Sequence, residues 1–266
     1  MPTGCKAYEV DVISRRGFIR LLASASGAML GWPNLSSGYE ANQAGKFILA
    51  QLRYRGGDWD PHPQYLTPFI EELEQRTSVD AASKRRVVRA LDNSLFLSPF
   101  IYLMGRYEFA PFTAEERQAL ARFLKMGGFL LADDSLGQPG YGFDKSFRRE
   151  MKQILPNHQL TRLPAEHAVY RSFYILRQVA GRLAVSPYLE GISLGNWTPV
   201  IYCQNDLAGA WARDKLGRWL YPVIPGGDEQ RSLAFRAGIN IVIYALTGDY
   251  KNDLIHHPFL KKRLNL

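Results

Sequence analysis

Short apolar runs alternate along the chain with segments whose apolar residues recur at helical spacing, and this alternation limits the fold more than any other feature. The runs of strand length are residues 47–54, 100–104, 129–132 and 199–203. Runs that are apolar along their length are typical of strands buried on both faces of a parallel sheet. The pattern therefore predicts an α/β fold: a doubly wound, mostly parallel sheet with helices on both faces.

The helices between these strands carry recognisable start and stop residues. Thr67 and Pro68 predict a helix that Thr67 caps, and Thr113 with Glu116 forms a capping box. A third helix is expected from Asp144 to just before Pro156. A last helix is expected over residues 233–246, whereas 157–198 show no clear pattern and 207–225 indicate a long excursion.

Length and composition favour a single globular domain. The 266 residues are 46% hydrophobic and 22% charged, without repeats or low-complexity tracts. No linker divides the chain, so we expect one α/β domain over residues 39–250 and a C-terminal tail over 251–266. The net charge of +8 is spread along the chain rather than massed on one element, which argues against a nucleic-acid partner.

The N-terminal segment has the composition of a targeting signal. Arg15 and Arg16 are followed by Phe18-Ile19, then by Arg20 and a moderately apolar run that ends near residue 32. This pattern resembles a twin-arginine translocation signal, which exports folded proteins. We expect residues 1–38 to be that signal, a periplasmic or otherwise exported protein, and no transmembrane helix in the mature chain. The alternative is a basic amphipathic first helix of the mature fold.

Polar residues follow each predicted strand. In a parallel sheet, ligands bind beyond the carboxyl ends of the strands, so these residues are the candidate site and are expected to share one pocket. They are Arg55, Gly56, Gly57, Asp58 and Trp59 after the first strand, Arg106 after the second, Asp133 and Asp134 after the third, and Asn205 and Asp206 after the last.

Each candidate has two interpretations. Gly56-Gly57 is a phosphate cradle or only a tight turn, and Asp133-Asp134 holds a divalent cation or only caps a loop. Trp59 stacks on a sugar or gates the pocket, or it seals the edge of the core. Arg55 and Arg106 clamp an anionic ligand or pair with the aspartates. No cofactor is required by the sequence, although a divalent cation remains open.

His167 and Cys203 are the remaining residues with possible chemistry. His167 is a general base or a structural histidine, and the other histidines lack the spacing of zinc ligands. Cys203 lies in an apolar strand with no base beside it, so we expect a buried, inert thiol. Because Cys5 lies in the predicted signal, the mature chain cannot form an internal disulfide.

Several of these segments together resemble the Domain of Unknown Function 4159 family of bacterial proteins. They are residues 47–60, 127–134, 143–148, 167–174 and 205–207. The resemblance implies a flavodoxin-like fold similar to class I glutamine amidotransferases. It also implies cell-envelope partners, von Willebrand factor A-type and AAA ATPase proteins, and no established activity.

The chain departs from the amidotransferase pattern where those enzymes carry a nucleophilic cysteine. The comparable segment here runs from Asp133 to Gly137 and contains no Cys, which argues against glutaminase activity. Our main hypothesis is therefore an exported, non-catalytic binding or interaction module of the cell envelope. The alternative is a hydrolase in which Asp133, Asp134 and His167 act as acid and base or hold a metal.

The arginine pair can be tested directly. Replacing Arg15 and Arg16 by Lys keeps the charge but removes the guanidinium pair that the twin-arginine pathway requires, so the double variant should stay in the cytoplasm. Cell fractionation measures this, with Arg20→Lys as a control that leaves the pair intact. Normal export of the double variant would contradict the assignment.

Overall fold

The computed structural model describes residues 45–248. The predicted export signal, with Arg15 and Arg16, and the predicted C-terminal tail lie outside the described residues. Within the described part, strands and helices alternate as the apolar pattern predicts.

The core of the fold is a seven-stranded sheet. Its strands are β1 (Ala50–Leu52), β2 (Arg86–Val88), β3 (Phe100–Gly105), β4 (Phe129–Asp134), β5 (Thr161–Arg162), β6 (Glu190–Leu194) and β7 (Trp197–Cys203). Their order across the sheet is β2-β1-β3-β4-β7-β6-β5. The first five strands in this order are parallel, and β6 pairs antiparallel with both β7 and β5. The predicted mostly parallel α/β sheet is confirmed, with a mixed edge.

Five α-helices and two short 3₁₀ helices connect these strands within the described range. The α-helices are α1 (Leu66–Arg76), α2 (Ala114–Lys125), α3 (Gly142–Ile154), α4 (Leu207–Trp211) and α5 (Gly227–Thr247). The 3₁₀ helices are Asn93–Leu97 and Ala168–Arg171. None of these helices is long and apolar enough to cross a membrane.

The pleat of the sheet sorts alternate side chains into two cores. In β3, Phe100, Tyr102 and Met104 face a core shared with α1, α4 and α5, which we call the first face. Ile101 and Leu103 face the opposite core, shared with α2 and α3, which we call the second face. Both sets are almost fully buried, which explains why the strands are apolar along their whole length.

The capping box at the start of α2 is confirmed. The Glu116 backbone N–H donates to Thr113 Oγ1 at 3.2 Å, and the Thr113 N–H donates to Glu116 Oε2 at 2.8 Å. These two bonds satisfy donors that the first turn of a helix otherwise leaves unpaired. By contrast, Thr67 does not cap α1, which begins one residue earlier and has Tyr65 at its cap position without a side-chain bond.

The predicted boundaries differ from the structure where tertiary contacts decide pairing. The first strand is only Ala50–Leu52, because Phe47 makes an isolated bridge to Ala81 rather than continuing the ladder. Strand β2, with Val87 exposed at the sheet edge, has no apolar pattern and was not predicted. Residues 157–198 form the antiparallel edge, whose short strands are too irregular for a periodic signal.

Cys203 lies at the end of β7 on the first face and is completely buried. Burial raises the pKa of its thiol well above the ordinary value, because the thiolate is poorly solvated there and the Asp133 carboxylate is nearby.

We therefore expect N-ethylmaleimide to modify Cys203 about a hundredfold more slowly in native protein than in urea, since reaction needs unfolding and a thiolate. Peptide mass spectrometry reads Cys203 separately from Cys5. A Leu91→Cys variant, at a position 59% exposed, supplies a matched thiol that should react at once. Equal modification rates at Cys203 and at the introduced thiol in the folded variant would contradict the structural role of Cys203.

Candidate functional site

The parallel strands β1, β3, β4 and β7 end at one edge of the sheet, which we call the carboxyl edge. The crossovers from β1 and from β3 run in opposite directions, so the strand order reverses between these two neighbours. Open α/β sheets bind ligands at such a reversal. The carboxyl edge is thus where the sequence-predicted residues have to be compared.

Asp133 lies at this edge on the first face and is fully buried. It accepts hydrogen bonds from the Leu207 and Ala208 backbone N–H groups, both at 3.0 Å, and from the Tyr102 hydroxyl at 2.7 Å. Burial raises its pKa, and the nearby Asp206 carboxylate adds to the rise. These three hydrogen bonds join β4 to β3 and to the start of α4, so Asp133 holds these elements together.

Asp206 is the centre of a second buried network. Its Oδ1 lies 2.8 Å from His62 Nε2, and both side chains have no exposed surface. Its Oδ2 accepts from the Arg182 guanidinium, and the Gly209 N–H donates to Oδ1 at 3.0 Å. Asp206 has a φ of 58°, the only positive value at a non-glycine residue in the described range. Such a backbone persists only where surrounding contacts impose it.

Gly209 is required for this arrangement, since a Cβ there would lie 2.2 Å from Asp206 Oδ2.

Asn205, which precedes Asp206 in the chain, binds the segment 181–186, which lies over the carboxyl edge. Its Oδ1 accepts from the Val185 and Ser186 N–H groups at 2.8 Å, and its amide donates to the Ser186 carbonyl at 2.7 Å. Asn205 is buried with all its polar atoms engaged, so it binds the protein's own backbone.

Asp134 lies on the opposite side of the sheet from Asp133, because consecutive residues of a strand point to opposite faces. Its Oδ1 accepts from the Leu136 N–H at 2.9 Å, whereas its buried Oδ2 has no hydrogen-bond partner among the described residues. Burial raises the pKa of Asp134 to about 7. The buried hydroxyl of Ser135, the next residue, likewise has no partner in the described range.

Asp58 and Arg106 come together through the backbone. The Arg106 and Tyr107 N–H groups donate to Asp58 Oδ1 at 2.7 and 3.1 Å. The Arg106 guanidinium lies 3.5 Å from both ring nitrogens of His62 and donates to the Pro61 carbonyl at 3.3 Å. The Arg106 guanidinium is therefore next to the His62–Asp206 pair, but it forms no ion pair with an aspartate of residues 45–248.

Arg55 and the two glycines point elsewhere. Arg55 is mostly exposed and contacts Glu116 Oε2 at 3.3 Å, at the start of α2. Gly56 and Gly57 have φ values of 70° and 60° and form a turn packed against residues 107–110. The guanidinium carbons of Arg53 and Arg85 lie 5.4 and 5.8 Å from the centre of the Trp59 ring.

The expectation of one shared pocket is therefore corrected in three respects. Asp134 is separated from Asp133 and Asp206 by the sheet, Arg55 joins none of the aspartates, and Asp58 is occupied by backbone donors. Successive side chains of a strand point to opposite faces of the sheet, and this alternation was the signal in the sequence that places Asp133 and Asp134 on different faces. Asp133, Asn205 and Asp206 do lie side by side, joined through the start of α4.

His167 lies at the opposite edge of the sheet. Its Nε2 is 3.0 Å from the Thr198 hydroxyl at the start of β7, and its Nδ1 accepts from the Val169 N–H at 3.2 Å. Burial and the positive charge of Arg171 together lower the pKa of His167 to about 4. The structure thus does not bring His167 together with Asp133 or Asp134, because it caps a 3₁₀ helix at the amino end of the strands.

Two residues of the Asp206 network are absent from the sequence-based expectations. His62 was set aside for lacking metal-ligand spacing, yet it follows the first strand in the loop that supplied Asp58, and that position was the available signal. Arg182 comes from the segment 157–198, which carries no periodic pattern. Only the folded chain shows that its guanidinium contacts both Asp206 and the Ser135 carbonyl.

The chemistry open to this edge is limited by burial. Among residues 45–248, no group of three His, Cys, Asp or Glu side chains is arranged to hold a metal ion. The His62–Asp206 pair, Asp133 and Cys203 are completely buried. The described part of the carboxyl edge thus offers polar backbone and paired charges rather than an exposed nucleophile with a base beside it.

These features define an α/β domain with a mostly parallel seven-stranded sheet whose carboxyl edge is closed by internally bonded carboxylates. The chain belongs to the family described as Domain of unknown function (DUF4159), which matches residues 48–246. No curated protein matches the chain.

The raised pKa of Asp134 has a measurable consequence. A carboxyl group whose pKa in the folded protein is raised above its ordinary value of 3.8 destabilises the fold when it ionises. The folded state therefore loses stability as the pH rises from 3.8 to the raised pKa. The wild type should therefore lose about 2–4 kcal/mol relative to Asp134→Asn between pH 4 and pH 8, since Asn keeps the acceptor for Leu136 without the charge.

Urea unfolding at several pH values measures this difference. Asp80→Asn is the matched control, because the Asp80 carboxylate is 65% exposed and forms an ion pair with Lys46 at the surface. A difference between wild type and Asp134→Asn that stays constant across this range would show that Asp134 ionises as an exposed carboxyl does.

Proposed function

We propose that the chain is an exported, non-catalytic interaction domain of the cell envelope, and that its binding surface lies over the carboxyl edge of the sheet. The observation that carries the proposal is the contrast between the interior and the rim of this edge. In the interior, the side chains of Asp133, Asn205 and Asp206 form hydrogen bonds with other groups of the protein. At the rim, large apolar and aromatic side chains are exposed.

Three exposed side chains mark this rim. Tyr107 follows β3 and is 58% exposed, and Tyr141, in the loop before α3, is 61% exposed. The two lie close in the fold, because the Phe143 N–H donates to the Arg106 carbonyl at 3.0 Å. Ile224, 54% exposed, is held over the same edge by a bond from its N–H to the Arg182 carbonyl at 3.0 Å.

Such a rim suits contact with another protein. Tyrosine supplies a large contact area at a low cost in conformational entropy, and exposed apolar side chains grouped on one surface are typical of interaction sites. Beneath the rim, Asp134 Oδ2 and the Ser135 hydroxyl lack partners in the described structure, and they could accept a polar group of a partner segment or small ligand. No metal or other cofactor is needed for this role.

The family resemblance supplies the rest of the proposal. Export would use the twin-arginine signal, and the partners would be von Willebrand factor A-type and AAA ATPase proteins of the envelope. We also propose a kinship in fold with class I glutamine amidotransferases, supported by the order β2-β1-β3-β4-β7 of the parallel strands. The residues Asp133 to Gly137 contain no cysteine for glutaminase chemistry.

A hydrolase is the second candidate, and the structure changes the residues it would use. His167 lies at the opposite edge of the sheet, whereas the His62–Asp206 pair lies at the carboxyl edge, where Ser135 follows β4. Arg182 contacts both Asp206 and the Ser135 carbonyl, so these residues are neighbours. Serine hydrolases use a histidine, oriented by a carboxylate, as the base for a serine hydroxyl, and residues of these three types lie at the carboxyl edge of this sheet.

A photo-crosslinking experiment tests the interaction. With p-benzoylphenylalanine in place of Tyr141, co-expression with the von Willebrand factor A-type and AAA ATPase proteins of the same cell should give a specific adduct. The same probe in place of Leu97, which is 54% exposed and lies just before the amino end of β3, should give none. Equal labelling from both positions would contradict the proposed surface.

The hydrolase is tested on the same protein. The wild type should not hydrolyse a panel of nitrophenyl esters and glycosides above the rate of His62→Gln, because the pair is buried. Turnover by the wild type that His62→Gln removes would overturn the non-catalytic assignment, provided that circular dichroism shows the variant to be folded at the assay temperature.

A further inference from the structure

A cavity of about 540 Å³ opens at the β5 edge of the sheet, away from the carboxyl-edge residues described above. Its walls come from β5, from the segment after the 3₁₀ helix Ala168–Arg171, and from residues 187–188. Its volume falls within the range of sites for small organic ligands, roughly 300–1,000 Å³. Neither the family match nor the proposed interface assigns a role to it.

The charge of this cavity is positive. Arg162, Arg171 and Arg177 are among its eleven lining residues, all of which are described, and none of the eleven is Asp or Glu. Within residues 45–248, Arg162 and Arg177 form no ion pair with a carboxylate. Guanidinium groups without a carboxylate partner at the wall of a cavity favour an anionic ligand, because they bind carboxylates and phosphates in bidentate geometry.

The inner wall of the cavity is apolar. Leu163 and Leu176 are 3% and 8% exposed and belong to the core of the first face. The guanidinium of Arg162 lies 4.3 Å from the centre of the Tyr188 ring, a cation–π contact that orients it at the cavity wall. An inorganic anion would satisfy the arginines but would make no contact with this apolar wall.

We infer that this cavity binds a small amphipathic anion, namely a carboxylate or phosphate group carried by an aromatic or aliphatic body. The anionic group contacts Arg162 and Arg177, and the body packs on Leu163, Leu176 and Tyr188. Both parts contribute, so neither an inorganic anion nor a neutral analogue fills the site equally well. The inference rests on a different edge of the sheet from the proposed interaction surface, and either can fail without the other.

Phenyl phosphate is the probe, and isothermal titration calorimetry is the measurement. Inorganic phosphate and benzyl alcohol, which each carry one half of its chemistry, should bind at least about tenfold more weakly. The double variant Arg162→Gln with Arg177→Gln should lower the affinity for phenyl phosphate by about tenfold or more. Arg89→Gln, an exposed arginine beyond β2, is the matched control and should bind as the wild type does.

The result that overturns the inference is equal affinity of the wild type and the double variant for phenyl phosphate, or inorganic phosphate binding as tightly as phenyl phosphate. Should the double variant not fold, the NMR signals of the wild type decide the matter. Phenyl phosphate should shift the resonances of Leu163, Leu176 and Tyr188, and shifts confined to residues outside the cavity would refute the site.

Discussion

The structure of the carboxyl edge depends on the contacts of one buried carboxylate, that of Asp206. It connects three segments that are distant in sequence: the loop after β1 through His62, the covering segment 181–186 through Arg182, and the start of α4 through Gly209. A buried charge is tolerated only when it is fully paired, and removing one partner of such a pair costs about 3–5 kcal/mol. The network therefore requires all three segments to take their places together.

The same constraint shapes what the edge can do. Carboxylates at the ends of parallel strands are where an active site is expected in this class of fold. Here Asp133 and Asp58 accept backbone N–H groups, and Asp206 accepts from Arg182, so their negative charge is compensated inside the protein. What reaches the surface is a rim of tyrosine and isoleucine side chains, and the proposed contact with a partner rests on this rim.

Much of the architecture could be predicted from local pattern. The capping box of Thr113 and Glu116 located the start of α2, and the apolar runs located β3, β4 and β7, because burial on both faces demands apolar residues at every position. Strand β2 escaped prediction because it lies at the sheet edge, where Val87 is exposed and polar residues are allowed. Strands β5 and β6 were not predicted because β5 is only two residues long and the pairing of β6 with β7 is irregular.

The candidate site was predicted less well than the fold, and the difference has a physical cause. The sequence by itself determined which residues follow the strands, since strand ends are set by the local change from apolar to polar residues. Only the tertiary structure decided which of them meet. The pleat sends Asp133 and Asp134 to opposite faces, while His62 and Arg182 reach Asp206 across 144 and 24 positions of the chain, a pairing that depends on how the loops pack and leaves no trace in local sequence.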